Sequence, residues 1–239
     1  MQVAIVTVGD ELLAGEIDNT NATWIAARLT ERGVDVTEIT VVPDDTDRIA
    51  ERVGSHADRY DAVVVTGGLG STPDDVTVEG VAAALDVATE RDDRTYRQVE
   101  TAVEAIREDH PDFDFDLERA AIRPVGSEPV ENEPGIAPGF VCENVFVLPG
   151  IPSEMQSTFE RIVTEFEGNL FSKTLHSTEA ESHLNEVLAA VHDEFDVGVG
   201  CYPDDDGEHK RIKVSATDPA EVEAAERWLI ERPEISKRE

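Results

Sequence analysis

Residues 62–75 read AVVVTGGLGSTPDD, and this stretch decides the fold class. Ala62–Thr66 is a valine run that ends in glycine, the pattern of a strand buried on both faces of a parallel sheet. Gly67, Gly68 and Gly70 then form a loop, and residues 76–85 carry helical apolar spacing. That order sets the loop at the carboxyl edge of the sheet, where open α/β folds bind ligands. Upstream, Gln2–Val8 is a second valine-rich strand. Residues 21–32 place Trp24, Ile25 and Leu29 on one helical face and stop at Gly33. Residues 36–42 form another strand, and Asp45 or Thr46 caps a helix running through Arg52. Strand, helix, strand, helix, strand at this spacing predicts a doubly wound α/β domain with a mostly parallel sheet.

Downstream, residues 95–108 read as a helix and residues 124–138 as a loop rich in proline and glycine. Residues 140–142 and Val145–Leu148 form two short strands about a turn, and Ser153 caps a helix reaching Phe166. A boundary at Gly168 divides the chain into a first domain, residues 1–168, and a small α+β domain, residues 169–239. The small domain has βαββα order: strand 171–176, helix 182–194, strands 197–201 and 211–216, and helix Pro219–Ile230. The polar tail, residues 232–239, is expected to fray.

Composition bounds the environment more than the function. Of 239 residues, 40% are hydrophobic, enough for a packed core, while 53 acidic against 20 basic residues leave a formal net charge of -33. Such a surface repels phosphate backbones, so nucleic acid is not an expected partner. The acids are spread along the chain, and only Lys173, Lys210, Lys213 and Lys237 are lysines. This pattern is the one expected of a halophilic protein in a salt-rich cytoplasm, where molar ions shorten the Debye length to about 3 Å, and an ordinary acidic protein is the competing reading. No apolar run approaches the roughly 20 residues of a membrane span, and the opening residues lack the basic start of a signal peptide. Cys142 and Cys201 are too few and too far apart for a disulfide framework or a zinc site, which fits a reducing cytoplasm.

The chemistry gathers at strand ends. Gly67, Gly68 and Gly70 let backbone N–H groups approach an anion, the following helix N-terminus adds positive dipole, and Ser71 and Thr72 supply hydroxyls. Asp74 and Asp75 oppose a bare phosphate; they make sense if a divalent cation bridges them to it, or if one of them positions water. A plain glycine turn with Asp75 as helix cap is the competing reading. Asp10 and Glu11 end the first strand, and Asp44 and Asp45 the second, so three consecutive strands deliver carboxylates to one rim. The six histidines show no metal-ligand spacing and read as surface residues; Trp24 and Trp228 read as core. The one basic run, residues 210–213, reads as a charged strand face that phosphate or RNA could touch.

Five motifs occur in order: VGDELLAGEIDNTN (8–21), VVPDD (41–45), TGGLGSTPDD (66–75), NEPGIAPG (132–139) and LPGIPSEM (148–155). Together they resemble the molybdopterin-binding superfamily of MogA/MoaB proteins and, more closely, the N-terminal region of CinA-type competence/damage-inducible proteins. Residues 170–231 resemble the small CinA middle domain; the amidase domain of full-length CinA has no counterpart in the sequence given. The resemblance implies a three-layer MogA-like fold and a site for a phosphorylated pterin or an adenine nucleotide. MogA-type relatives adenylylate molybdopterin with magnesium, whereas CinA-type domains look like metal-dependent pyrophosphatases of ADP-ribose-like compounds. A non-catalytic pterin- or nucleotide-binding protein is the third reading. Carried over position by position, Asp44 and Asp75 serve catalysis and, with Asp74, hold a magnesium, cobalt or manganese ion. Gly67, Gly68, Gly70, Ser71 and Thr72 form the phosphate or pterin loop beside Asp10 and Glu11; Asn132, Gly135, Ser153 and Glu154 complete the ligand loops. The implied partners are a small nucleotide or pterin and further copies of the chain, at least a dimer. Ser71 stands where such proteins usually have proline, Arg119-Ala120-Ala121 replaces Lys-Gln-Ala, and residues 177–180 replace Gly-Ile-Gly.

Overall fold

The computed structural model describes residues 1–133, 135–204 and 209–236, and these cluster into two compact units, Met1–Glu167 and Gly168–Glu239. In the first unit, β1 (Gln2–Val8), α1 (Asp10–Leu13), α2 (Thr20–Glu31), β2 (Asp35–Val42), α3 (Thr46–Ala57), β3 (Ala62–Thr66) and α4 (Thr77–Ala84) follow the anticipated rhythm. Next come β4 (Thr89–Arg91), α5 (Asp93–Asp109), α6 (Leu117–Ala120), β5 (Ile122–Pro124), β6 (Glu128–Val130), β7 (Gly139–Cys142), β8 (Val145–Leu148) and α7 (Pro152–Ile162). Six strands form the central sheet in the order β2-β1-β3-β8-β7-β6. The first four are parallel; β7 runs antiparallel to β8, and β6, antiparallel to β7, runs again with the first four.

The valine runs are continuous because both sheet faces are covered. Side-chain alternation sends Val3, Ile5, Ala62 and Val64 to one layer, with Ile25 and Leu29 of α2 and Met155 and Phe159 of α7. Val6, Val8, Val63 and Val65 go to the other, with Ile49 and Val53 of α3 and Val81 of α4. Thus a single strand feeds two cores, which fixes the three-layer arrangement.

Several local expectations are corrected. Helix α7 starts at Pro152 with Ile151 at its N-cap position, so Ser153 lies inside the first turn and caps nothing; the helix ends at Ile162 and a 3-10 turn spans Val163–Glu165. Proline at the first helical position, with no N–H to satisfy, sets that start. The 124–138 loop contains the edge strand β6, and Pro134 within it lies outside the described residues. Strands β4 and β5, a separate antiparallel pair, have no expectation behind them because three-residue strands carry too little periodicity.

His56 also departs from the surface reading: it is 2% exposed on the inner side of α3. Burial pushes its pKa down, outweighing the opposite pull of Glu38, whose carboxylate lies 3.9 Å away. A histidine that binds protons less readily folded than unfolded supports the fold above its unfolded value of about 6.5 and loses that support as pH falls below it. The urea midpoint of the first unit is therefore expected to decline from pH 7.5 to 5.5, and His56→Gln is expected to flatten that decline. An unchanged slope in the variant would assign the pH dependence elsewhere.

The second unit comprises β9 (Phe171–Ser177), α8 (Glu181–Glu194), β10 (Gly198–Pro203), β11 (Lys210–Ala216) and α9 (Pro219–Ile230). Its sheet order is β10-β11-β9, all antiparallel. Leu175, Ile212 and Val214 pack with Leu184 and Val191 of α8 and Val222 and Leu229 of α9. The tail is tied down rather than frayed up to Ser236: Ile235 is 5% exposed and Ser236 bridges His176. Residues 205–208, between β10 and β11, and 237–239 of the tail lie outside the described residues.

Candidate functional site

The carboxyl ends of β1, β2 and β3 surround a cavity of about 570 Å³. Strand β1 sits between β2 and β3, so the chain leaves it to one side and returns on the other, opening a crevice at that edge. The floor is the turn after β3. Gly67 has φ +106, and a Cβ there would collide with the Val8 carbonyl oxygen. Its N–H donates to Leu148 O at 3.2 Å, while the Thr66 hydroxyl donates to Pro149 O at 2.7 Å. Asn21 Nδ2 donates to Gly150 O at 2.7 Å and Asn19 Nδ2 to the Thr7 hydroxyl at 3.0 Å. Two asparagines from the start of α2 thereby stitch three strand ends together.

Asp75 does not cap α4; Val76 occupies that position without a side-chain bond. Its carboxylate instead closes the glycine loop: Oδ1 accepts from Gly70 N at 2.8 Å, and Oδ2 accepts from Thr72 N at 2.9 Å and from the Thr72 hydroxyl. Arg119 donates to Asp75 O at 2.9 Å, so the arginine that replaces the usual lysine still grips this loop. With both oxygens turned into the loop, Asp75 shapes the site here and is not displayed as a metal ligand.

Asp44 is the displayed carboxylate. Burial raises its pKa; the Asp10 N–H donating at 2.9 Å opposes that, and the charges of Asp10, Glu11 and Asp74 add to the rise. Exposed Asp74 is shifted the other way, chiefly by the Thr72 hydroxyl, with Arg119 contributing. Glu154, in the first turn of α7, accepts from Asn132 Nδ2 at 2.6 Å.

Of the residues singled out from sequence, Glu11, Asp44, Gly67, Gly68, Gly70, Asp74, Asp75 and Glu154 line the cavity. Asp10 and Thr72 are not among the lining residues, but their N–H groups donate to Asp44 and Asp75, which are. Ser71 and Ser153 are not among the lining residues, and Asn132 and Gly135 line an adjoining cavity of about 680 Å³ instead. Asn19 and Asn21 lie within the 8–21 motif, where no local signal gives them a role. Sequence reasoning also missed the apolar wall of Leu12, Ile17, Phe115, Ile136, Ala137 and Ile151.

Six carboxylates line the cavity (Glu11, Asp18, Asp44, Asp74, Asp75, Glu154), and no Lys, Arg or His does so among the described lining residues. No group of three or more His, Cys, Asp or Glu among the described residues is gathered to hold a metal ion. The three-carboxylate set of Asp44, Asp74 and Asp75 is therefore not preassembled. The donors fit a hard divalent cation held by one or two carboxylates, with the ligand's phosphates and water filling the remaining positions.

Residues 4–167 match the family model described as a probable molybdopterin binding domain, and residues 169–237 match the FAD synthase middle domain. A protein of Archaeoglobus fulgidus is 37% identical over 233 residues, covering 94% of this chain and 95% of its own length. A CinA-like protein of Frankia casuarinae is 41% identical over 170 residues, 66% of this chain and 38% of that protein. The crystal structure of the protein CinA, of unknown function, from Thermoplasma acidophilum aligns with a TM-score of 0.61 at 33% identity, covering 69% of this chain and 97% of that one. Among the described residues no helix is long and apolar enough to cross a membrane.

Proposed function

Because this chain belongs to the family of probable molybdopterin-binding domains, we propose that its first unit hydrolyses the phosphoanhydride of an ADP-ribose-type nucleotide with a divalent cation. The carrying observation is the charge of the cavity: six carboxylates, and no cation among the described lining residues, beside a glycine loop. A pyrophosphate carries negative charge of its own, so its entry unaccompanied is opposed by these carboxylates. Bound to a divalent cation it is neutralised, and the carboxylates become attractive. When bound, the cation supplies charge neutralisation and lowers the pKa of an attacking water.

The chain's residues divide the remaining work. Asp44 and Asp74 hold the cation. The Asp44 oxygen that the Asp10 N–H does not engage is placed to take a proton from the attacking water. Loop N–H groups around Gly68 and Leu69 meet the phosphate oxygens. Asp75 and Thr72 hold that loop in shape, and the Phe115–Ile136–Ala137 wall accepts the flat base. Water adds to one phosphorus, the bridging P–O bond breaks, and AMP and ribose 5-phosphate leave.

The apolar wall and the family description also favour a pterin occupant, which makes molybdopterin adenylyl transfer the second reading. Incubation of the full chain with ADP-ribose and magnesium, manganese or cobalt is expected to release AMP and ribose 5-phosphate, and EDTA to abolish both. Silence with every metal, alongside adenylylation of molybdopterin from ATP, would replace the first reading by the second. Ligand binding without turnover of either substrate would leave a binding protein.

A further inference from the structure

The second unit buries one face of its sheet under α8 and α9 through Leu175, Ile212 and Val214. Strand alternation sends their neighbours to the opposite face, and the register sets them in rows. Tyr202 lies opposite Arg211, which lies opposite His176; Gly200 lies opposite Lys213, which lies opposite Thr174. Both helices of this unit lie on the other side of the sheet.

Tyr202 is 51% exposed there. Its same-face neighbour Gly200 has no side chain, and a Cβ added to it would come within 2.8 Å of the tyrosine ring. The ring therefore leans across the glycine, an arrangement any larger residue would prevent. Paired residues on antiparallel strands lie about 5 Å apart, so Lys213 stands beside the ring and Arg211 beside its stem. Arg211 is about half exposed, 3.8 Å from Asp204, which fixes its position and offsets part of its charge. Of the two lysines of β11, Lys213 lies on this open face, whereas Lys210 shares the helix-covered face with Ile212.

We infer that this face binds one nucleotide, its planar base stacked on Tyr202 and its phosphate held by Lys213 and Arg211. An exposed aromatic ring recognises a flat heterocycle, and two cations beside it recognise a phosphate. A polynucleotide is disfavoured, because each added phosphate meets the field of a chain with net charge -33 while Arg211 and Lys213 are the only Arg and Lys of this face among the described residues. All the residues of this site belong to the second unit.

AMP titrated calorimetrically into the full chain in EDTA and 0.1 M KCl tests it, since without a divalent cation the carboxylate cavity opposes the ligand. One AMP per chain is expected. Tyr202→Ala is expected to weaken binding about tenfold, the scale of base–aromatic stacking, while Tyr202→Phe retains it. The double variant Arg211→Gln, Lys213→Gln is expected to weaken binding and flatten its salt dependence. Binding that survives Tyr202→Ala unchanged, or no binding at all, overturns the inference. Inorganic phosphate competing as well as AMP removes the stacking, and an oligonucleotide decamer binding more tightly than AMP removes the single-nucleotide assignment. None of these outcomes depends on turnover in the first unit.

Discussion

Asp44→Asn is expected to slow the metal-supported release of AMP from ADP-ribose about a hundredfold or more, with a melting temperature equal to or above that of the parent protein. The rate loss follows from removing the charge that holds the cation and accepts the proton; losing one preorganised electrostatic group costs about 10²–10³ in rate. The stability expectation follows from the direction of the pKa shift. Burial first, then repulsion from Asp10, Glu11 and Asp74, raises the Asp44 value in the folded chain. A carboxyl with a raised folded pKa penalises the fold once ionised: the penalty is complete above the folded value and fades as pH falls toward the unfolded one. Asparagine removes the penalty at neutral pH and keeps an oxygen for the Asp10 N–H, 2.9 Å away. Kinetics and thermal melts on one preparation separate the two effects. Turnover within threefold of the parent would remove Asp44 from the reaction, and a large drop in melting temperature would show it to be structural.

Gly67→Ala is expected to produce the largest loss of stability at the site, about 2–3 kcal/mol in the unfolding of the first unit, together with loss of ligand binding. Two causes act together. The backbone stands at φ +106, where an L side chain is strained, and the new methyl meets the Val8 carbonyl. That oxygen belongs to a buried central strand, so it cannot move aside without disturbing the sheet. Gly126→Ala is the control: φ is +84 but open space surrounds the position, so only backbone strain of about 1 kcal/mol applies. Urea unfolding of both variants decides the matter. Equal losses would mean that the approach of the loop to β1 contributes nothing.

The sequence resolves most of the first unit because its signals are local. The run VVV between alternating layers leaves no exposed face, and the chemistry of GGLG permits only a turn that glycine can make. From these alone the strands, the intervening helices and the rim of Asp10, Glu11, Asp44, Asp74 and Asp75 could be placed at one edge. His56 was misjudged because its burial depends on α3 packing against the sheet, not on its polar neighbours in the chain.

What each rim residue does was decided only by folding. Asp75 and Asp74 are adjacent and chemically identical, yet one carboxylate turns back to Gly70 and Thr72 while the other stays exposed. Asn132 and Gly135 sit in a motif beside glycine and proline, but they line the adjoining cavity. Asn21 reaches Gly150, 129 residues away in sequence. Periodicity and glycine chemistry are properties of neighbouring residues, so the chain itself carries them. The partner of a polar side chain is set by which distant backbone the packed layers bring within about 3 Å, and only the tertiary structure contains that distance.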